Sequence, residues 1–300
     1  MNHIDVIKNF RYGKNRRGSR VFADGNVLYS YGRHFPLVIR RDGNSNIKSG
    51  SEWFLCNGDK YSRSTSKHQS YTFPVFPDFP RVAFSALRAA GINPLSCYLV
   101  DFEKDIFKTS NTWDDNFINF KSEVPRGAEY HEDRSLNGEL FRKYYHLIGG
   151  CLLKHFGNYY ICGMDEGSYF VSQLPRKVTT ISGAYKMLKP YKVQQAEKDG
   201  LRVIRQGEWF FIPRPDIKIK EKQFVKSGTL PRENEQSNKH ICTRLFKSKG
   251  RFYAKGICRH YRANGRKGDH RPLKLGDGKQ VFEAVENMAK GSWSANGRVD

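Results

Sequence analysis

Turn-forming pairs interrupt this chain at short intervals. Asp24-Gly25, Asn57-Gly58, Gly157-Asn158, Glu166-Gly167 and Gln206-Gly207 each border a short run rich in Val, Ile, Leu, Tyr and Phe. Such pairs reach the positive φ angles that tight hairpins need. A chain broken this often has little room for long helices, and short antiparallel strands are its natural element.

The runs between the turns predict the elements. Residues 20–41 and 52–61 read as a meander of three or four strands, with Pro36 at a strand start or edge. A second β region follows, with strands at 144–148, 150–156, 158–163 and 168–173. Residues 201–215 form two strands about Gln206-Gly207. Residues 240–261 form a hairpin turning at Lys247-Ser248-Lys249-Gly250. Short helices are expected over 3–10, 64–71, 80–91, 179–190 and 192–200. Another is expected over 279–290, where Val281, Ala284, Val285 and Met288 share a helical face. The stretch 103–137 is acidic and poorly periodic, and reads as a long excursion or lid. The fold class is α+β, with two antiparallel-sheet domains. The first is 1–140 and includes the acidic excursion. The second is 141–300 and carries a basic hairpin–loop–helix over 240–290.

Charge narrows the partners. The 300 residues hold 52 Lys and Arg against 30 Asp and Glu, a net charge of +22. A soluble surface needs only about 2–8 net charges in a small domain. The excess is uneven: +8 over 1–70, −4 over 71–140, +9 over 141–240 and +9 over 241–300. Two basic regions flank an acidic middle, the pattern of a directed polyanion-binding face. No run approaches the roughly 18 apolar residues of a membrane span, and the start, "MNHIDVIKNF", lacks a secretory apolar region. The six cysteines are scattered, as expected of reduced thiols in a cytoplasmic protein. No membrane partner is expected, and no P-loop or dinucleotide fingerprint supports a nucleotide cofactor.

The stretch "GICRHYRANGRKGDHRPLKLG", residues 256–276, concentrates the chemistry. In a binding reading, Arg259, Arg262, Arg266, Lys267, Arg271 and Lys274 contact phosphates, while Tyr253 and Tyr261 stack on exposed bases. Arg16, Arg17 and Arg33 form a second grip within 13–33, where "GKNRRGSR" reads as a mobile basic arm or loop. Tyr29, Tyr31, Arg33, His34, Tyr61, Arg63, Lys67 and His68 cluster in two segments, and their tyrosines and arginines together suit a single-strand stacking surface. His34 and His68 alternatively suit acid–base roles, with a nucleophile among Ser64, Thr65 and Ser66, although no nucleophile motif accompanies them.

Two further readings use the histidines. A metal-dependent nuclease of the ββα type would use the hairpin and the helix after it, with His240, His260 and His270 as catalytic candidates and a divalent ion over the phosphate. A structural zinc site would use His240, Cys242, Cys258 and His260, since two His and two Cys suit tetrahedral zinc. A tight turn at 248–249 splits that set, because His240 then faces Ile257 and Cys242 faces Lys255. A one-residue bulge would reunite it. No metal or other cofactor is favoured; buried thiols beside polar histidines are the simpler expectation.

The segments "GNVLYSYGRHFPLVIR", "NGDKYSRSTSKHQ", "RQGEWFFIP", "RHYRANGRKGDHRPLKLG" and "SWSANGRVD" resemble parts of uncharacterised proteins of bacteria, phages and mobile elements. The resemblance implies a prokaryotic or viral origin and no particular catalysis. The expectation is a nucleic-acid-binding protein, for DNA or RNA, that recognises mainly the phosphate backbone. The alternatives are the nuclease and a phage or mobile-element structural protein whose charge offsets packaged nucleic acid.

Overall fold

A computed structural model describes residues 2–41, 52–59, 61–114, 117–124, 129–165, 168–231, 239–261, 265–266 and 271–295. The chain is mostly antiparallel sheet with short helices, in keeping with the α+β expectation. It forms two compact units, Met1–Tyr185 with Ala289–Asp300 and Lys186–Met288. Residue 140, where the sequence suggests a boundary, lies inside the first unit.

The first unit opens with α1 (His3–Arg11), capped by the Asn2 side chain, which accepts from the Ile4 N–H at 3.2 Å. A sheet follows: β1 (Val21–Asp24), β2 (Val27–Ser30), β3 (Gly32–Arg41), β4 (Trp53–Asn57) and, after α2 (Arg63–Thr72), β5 (Arg81–Val82). The strands lie in that order, antiparallel except for the β4–β5 pair. Both faces are covered. Leu28, Val38 and Phe54 pack with Val6, Ile7 and Phe10 of α1. Tyr29, Ile39 and Leu55 point the other way and pack with α3 (Phe84–Ala89) and a second sheet. This is why "PLVI" and "WFLC" read as continuous apolar runs rather than alternating ones.

The second sheet begins with β6 (Tyr98–Phe102). Between it and its next strand lies a separate three-stranded ribbon, β7 (Ile106–Asn111), β8 (Glu129–Arg134) and β9 (Leu140–Leu147), in the order β7-β9-β8. Within the expected lid over 103–137, Ile106–Asn111 and Glu129–Arg134 are therefore strands. The ribbon's polar strands are joined by cross-strand charge and ring pairs in place of apolar alternation. Glu132 faces Lys143 and Asp133 faces Arg142, and the His131 ring stacks on Tyr144. The second sheet then continues with β10 (Cys151–His155), β11 (Asn158–Asp165) and β12 (Ser168–Gln173). Cys151 faces Cys162 across it, and α4 (Ile181–Leu188) leads the chain onward.

The second unit contains α5 (Tyr191–Lys198), β13 (Ile204–Gln206), β14 (Trp209–Pro213), β15 (Val225–Leu230), β16 (Lys239–Ser248), β17 (Arg251–Tyr261), β18 (Leu273–Leu275) and β19 (Phe282–Glu286). The order is β13-β14-β19-β17-β16-β15, with β18 also on β17. β18 pairs with 256–258 and β19 with 252–254, so the two lie end to end along one edge of β17. Trp209, Phe211, Cys242, Ala254, Cys258 and Phe282 share one core, and Phe210 and Ile212 pack with Val193 and Ala196 of α5 on the other face.

The helix expected over 279–290 is not formed. Its central residues are strand β19, paired on both edges, by β14 and by β17. The apolar spacing fits both periods, and the two ladders decide in favour of strand. Glu283, buried in that strand, is held by Lys192 Nζ at 2.6 Å and Arg214 Nη1 at 2.5 Å. The chain ends its described course as β20 (Gly291–Ala295), beside β12 in the first unit. Among the described residues no helix is long and apolar enough to cross a membrane.

Candidate nucleic-acid interface

The β16–β17 hairpin organises the chemistry of the second unit. Its turn is Lys249-Gly250, with φ of 46° and 73°, and Ser248 pairs with Arg251. Two positive φ values suit the twist of a two-residue hairpin. The turn thus sits one residue later than a turn at 248–249. A second device matters more. Between the Arg244–Lys255 and Cys242–Cys258 pairs, β17 carries one extra residue. Gly256, at φ 85°, sits in this bulge, where the left-handed region favours glycine. Beyond it the register has moved by one. His240 faces His260 and Cys242 faces Cys258. The regular register would have split these four residues, and the bulge puts all of them on one side.

That side is buried. His240 and His260 are 1% and 6% exposed, and both cysteines are fully covered. The two imidazoles lie 4.7 Å apart, tilted by 30°. His240 Nδ1 is 3.3 Å from Glu208 Oε1. The Cys258 thiol is pushed far above its ordinary range by its hydrogen bond with Cys242 and by burial, so it is a neutral thiol at neutral pH. Two residues before Glu208, Gln206 Nε2 donates to the Arg271 carbonyl at 2.6 Å and ties down the end of the basic loop.

This arrangement does not fit the nuclease reading. Histidines this deeply covered cannot reach a phosphodiester, and the element after the hairpin is strand where a ββα site needs helix. His270 lies outside the described residues.

The other side of the hairpin faces solvent. Lys239, Ile241, Arg259 and Tyr261 alternate with the buried four, and Lys274 joins them by pairing with Ile257. Lys239, Arg259 and Lys274 are exposed, while Ile241, Ile257 and Tyr261 are half-buried. Elsewhere on the same strands, Arg244 and Lys255 are matched by Glu221 at 2.9 and 3.0 Å. Lys239, Arg259 and Lys274 have no carboxylate partner among the described residues. Arg266 and Arg271 are exposed as well. Arg262 and Lys267 lie outside the described residues. Tyr253 does not belong to this surface. It is 7% exposed and packs with Phe224, Phe246 and Val281, so it cannot stack on a base.

Beside Lys274 opens a groove of about 540 Å³ that the sequence did not reveal. Leu201, Ile204, Pro213 and Phe282 give it apolar walls, and Arg202 and Lys274 add cations.

In the first unit the basic arm is tied down rather than mobile. Arg17 bridges Phe22, and the Ala23 N–H donates to the Arg16 carbonyl at 2.9 Å. Arg16 and Arg17 remain exposed, with the Arg17 guanidinium 5.4 Å from the Phe22 ring centre. Arg33 is already matched by Asp24 at 2.5 Å. His68 meets Ser30 and none of the proposed nucleophiles, with Ser30 Oγ 2.7 Å from its Nδ1. Both are buried. Burial, reinforced by His3, Arg20 and Lys67, holds the His68 imidazole below its ordinary pKa. A neutral imidazole hydrogen-bonded to a covered serine fastens α2 to the sheet. The 38 residues between them hid this pair from sequence reading. Tyr31, next to it, adopts a left-handed φ of 63° and lies under the Arg20 guanidinium.

No protein-family model matches the chain, and neither curated proteins nor solved structures gave a match.

Proposed function

We propose that this chain is a nucleic-acid-binding protein of the cytoplasm, of prokaryotic or phage origin, that grips the phosphate backbone without strong base readout. The solvent-facing side of β16–β18 carries the reading. Three exposed cations stand there with no carboxylate partner among the described residues, interleaved with a tyrosine and two isoleucines. Phosphates take the cations, and Tyr261 offers a partly exposed ring for stacking. The groove beside Lys274 is apolar enough to receive an unstacked base. Cations without partners keep their full attraction for a polyanion, and releasing counterions from that polyanion drives binding. The net charge of +22 supports the same reading, and six free thiols suit a reducing compartment.

The test is the triple variant Lys239→Glu, Arg259→Glu, Lys274→Glu in the full chain. Its affinity for DNA and RNA should fall at least about tenfold at moderate salt. Unchanged binding by the folded variant would reject this face as the interface.

A further inference from the structure

The bulge at Gly256 has a chemical product. The sequence orders are mirrored, His240-x-Cys242 on one strand and Cys258-x-His260 on the other. In an antiparallel pair with this register, the mirror sets His opposite His and Cys opposite Cys. Two like rungs then stand on one buried face, about 7 Å apart along the strands, with about 4.5–5.5 Å between the Cβ atoms of each rung.

Those dimensions suit ligands of unequal length. A thiolate is short and an imidazole is long. An ion lying between the two rungs, about 2.3 Å from each sulfur, would come within about 2.0–2.1 Å of the imidazole Nε2 atoms once those rings turn toward it. His240 already turns Nδ1 toward Glu208, at 3.3 Å. A carboxylate on the far nitrogen is the usual support for a metal-bound imidazole, and it selects Nε2 as the ligand atom. In the conformation seen, the imidazoles lie against each other and no three such side chains converge on one point among the described residues. Rotation of the two rings about their side-chain bonds is the movement required.

We infer that His240, Cys242, Cys258 and His260 form a tetrahedral site for a thiophilic divalent cation, zinc in the first place. The ion would clamp the open end of the hairpin, where the chain leaves β17 for the basic loop. On binding, each thiol loses its proton to solvent, so one Zn²⁺ exchanges for two H⁺, and the two neutral imidazoles each donate a nitrogen lone pair. Binding is therefore steeply favoured by rising pH. Such a site would hold its ion whether or not the chain binds nucleic acid.

The untagged full chain, reduced and freed of metal, is titrated with Co²⁺ and then with Zn²⁺. The expected result is one ion per chain, with a thiolate-to-cobalt charge-transfer band in the near ultraviolet, intense visible bands of tetrahedral cobalt, and their loss when zinc is added. Cys242→Ser with Cys258→Ser should abolish the charge-transfer band. Cys97→Ser with Cys151→Ser and Cys162→Ser, in the other thiol-rich core, should leave it intact. A folded wild-type chain that gives no cobalt spectrum overturns the site, whatever the variants do. So does a spectrum that survives loss of Cys242 and Cys258, or one that vanishes only with the other three.

Discussion

The ribbon β7–β9–β8 and the hairpin β16–β17 are both polar antiparallel structures, and they handle charge in opposite ways. In the ribbon, charges are neutralised within the sheet and by the short 3-10 helix Phe120–Glu123 that follows β7. Asp133 accepts from Arg142 Nε at 2.8 Å, Glu132 meets Arg134 at 3.0 Å, and Lys108 meets Glu123 at 3.3 Å. In the hairpin beyond its bulge, one face is sealed by core residues, histidines and thiols, and on the other Lys239, Arg259 and Lys274 have no carboxylate partner among the described residues. The difference teaches that charge density in sequence says little until the register is known. Asp133 and Arg142 share a rung and satisfy each other, and Glu132 is met by Arg134 on its own strand. Charges without such a match are left for a partner.

The largest expected effect breaks that contrast directly. Reversing Lys239, Arg259 and Lys274 should flatten the slope of log K against log salt by about 0.9 for each duplex phosphate that is no longer neutralised. Reversing Lys108 and Arg142 should leave that slope unchanged. Equal effects in anisotropy titrations would erase the distinction between the two regions.

The next effect removes the device that sets the hairpin's faces. Gly256→Val forces a branched side chain into φ 85°, with a Cβ only 3.0 Å from Thr243 Cβ. The expected cost is about 1–3 kcal/mol, read as a lowered urea midpoint with the slope of the transition unchanged. A neutral substitution would mean that the bulge does not need glycine.

Smaller still is Arg142→Ala in the ribbon. The pair with Asp133 is half exposed, and such pairs contribute roughly 0.2–1 kcal/mol. A destabilisation well above that range in the same denaturation assay would show that the ribbon depends on its charges more than surface pairs do.

The smallest effect is in pH. A hydrogen bond from Tyr130, helped by Arg134, holds Glu132 below its ordinary 4.5. A depressed carboxylate stabilises the fold above its unfolded pKa, and that contribution is lost as pH falls through the folded value. Wild type should therefore lose slightly more stability than Glu132→Gln as pH drops below about 4.5. Parallel stability curves for the two proteins would contradict the assignment.

Much of the fold was legible in residues. Asp24-Gly25, Gly157-Asn158 and Gln206-Gly207 lie at the turns between β1 and β2, β10 and β11, and β13 and β14. Asn57-Gly58 instead ends β4, and the Asn57 side chain accepts from the Asp59 N–H at 2.9 Å. Local periodicity failed where partners decide. Residues 279–290 fit a helical face, yet 282–286 became strand because β14 and β17 flank them. The ribbon lacked apolar alternation because its rungs are charge and ring pairs. The site was half legible: the basic composition pointed to Arg259 and Lys274, but Tyr253 went to the core, and Lys239 gained its place only through pairing with Tyr261. A single bulge residue decided which face each side chain took, and no spacing rule reveals that in advance.

The most direct measurement is fluorescence anisotropy of the nuclease-treated full chain with single- and double-stranded DNA and RNA at several salt concentrations, beside the Lys239→Glu, Arg259→Glu, Lys274→Glu variant. The account predicts binding with a steep salt slope in wild type, and weaker binding with a flatter slope in the variant. Absence of binding even at low salt, or identical slopes for the two proteins, would contradict it.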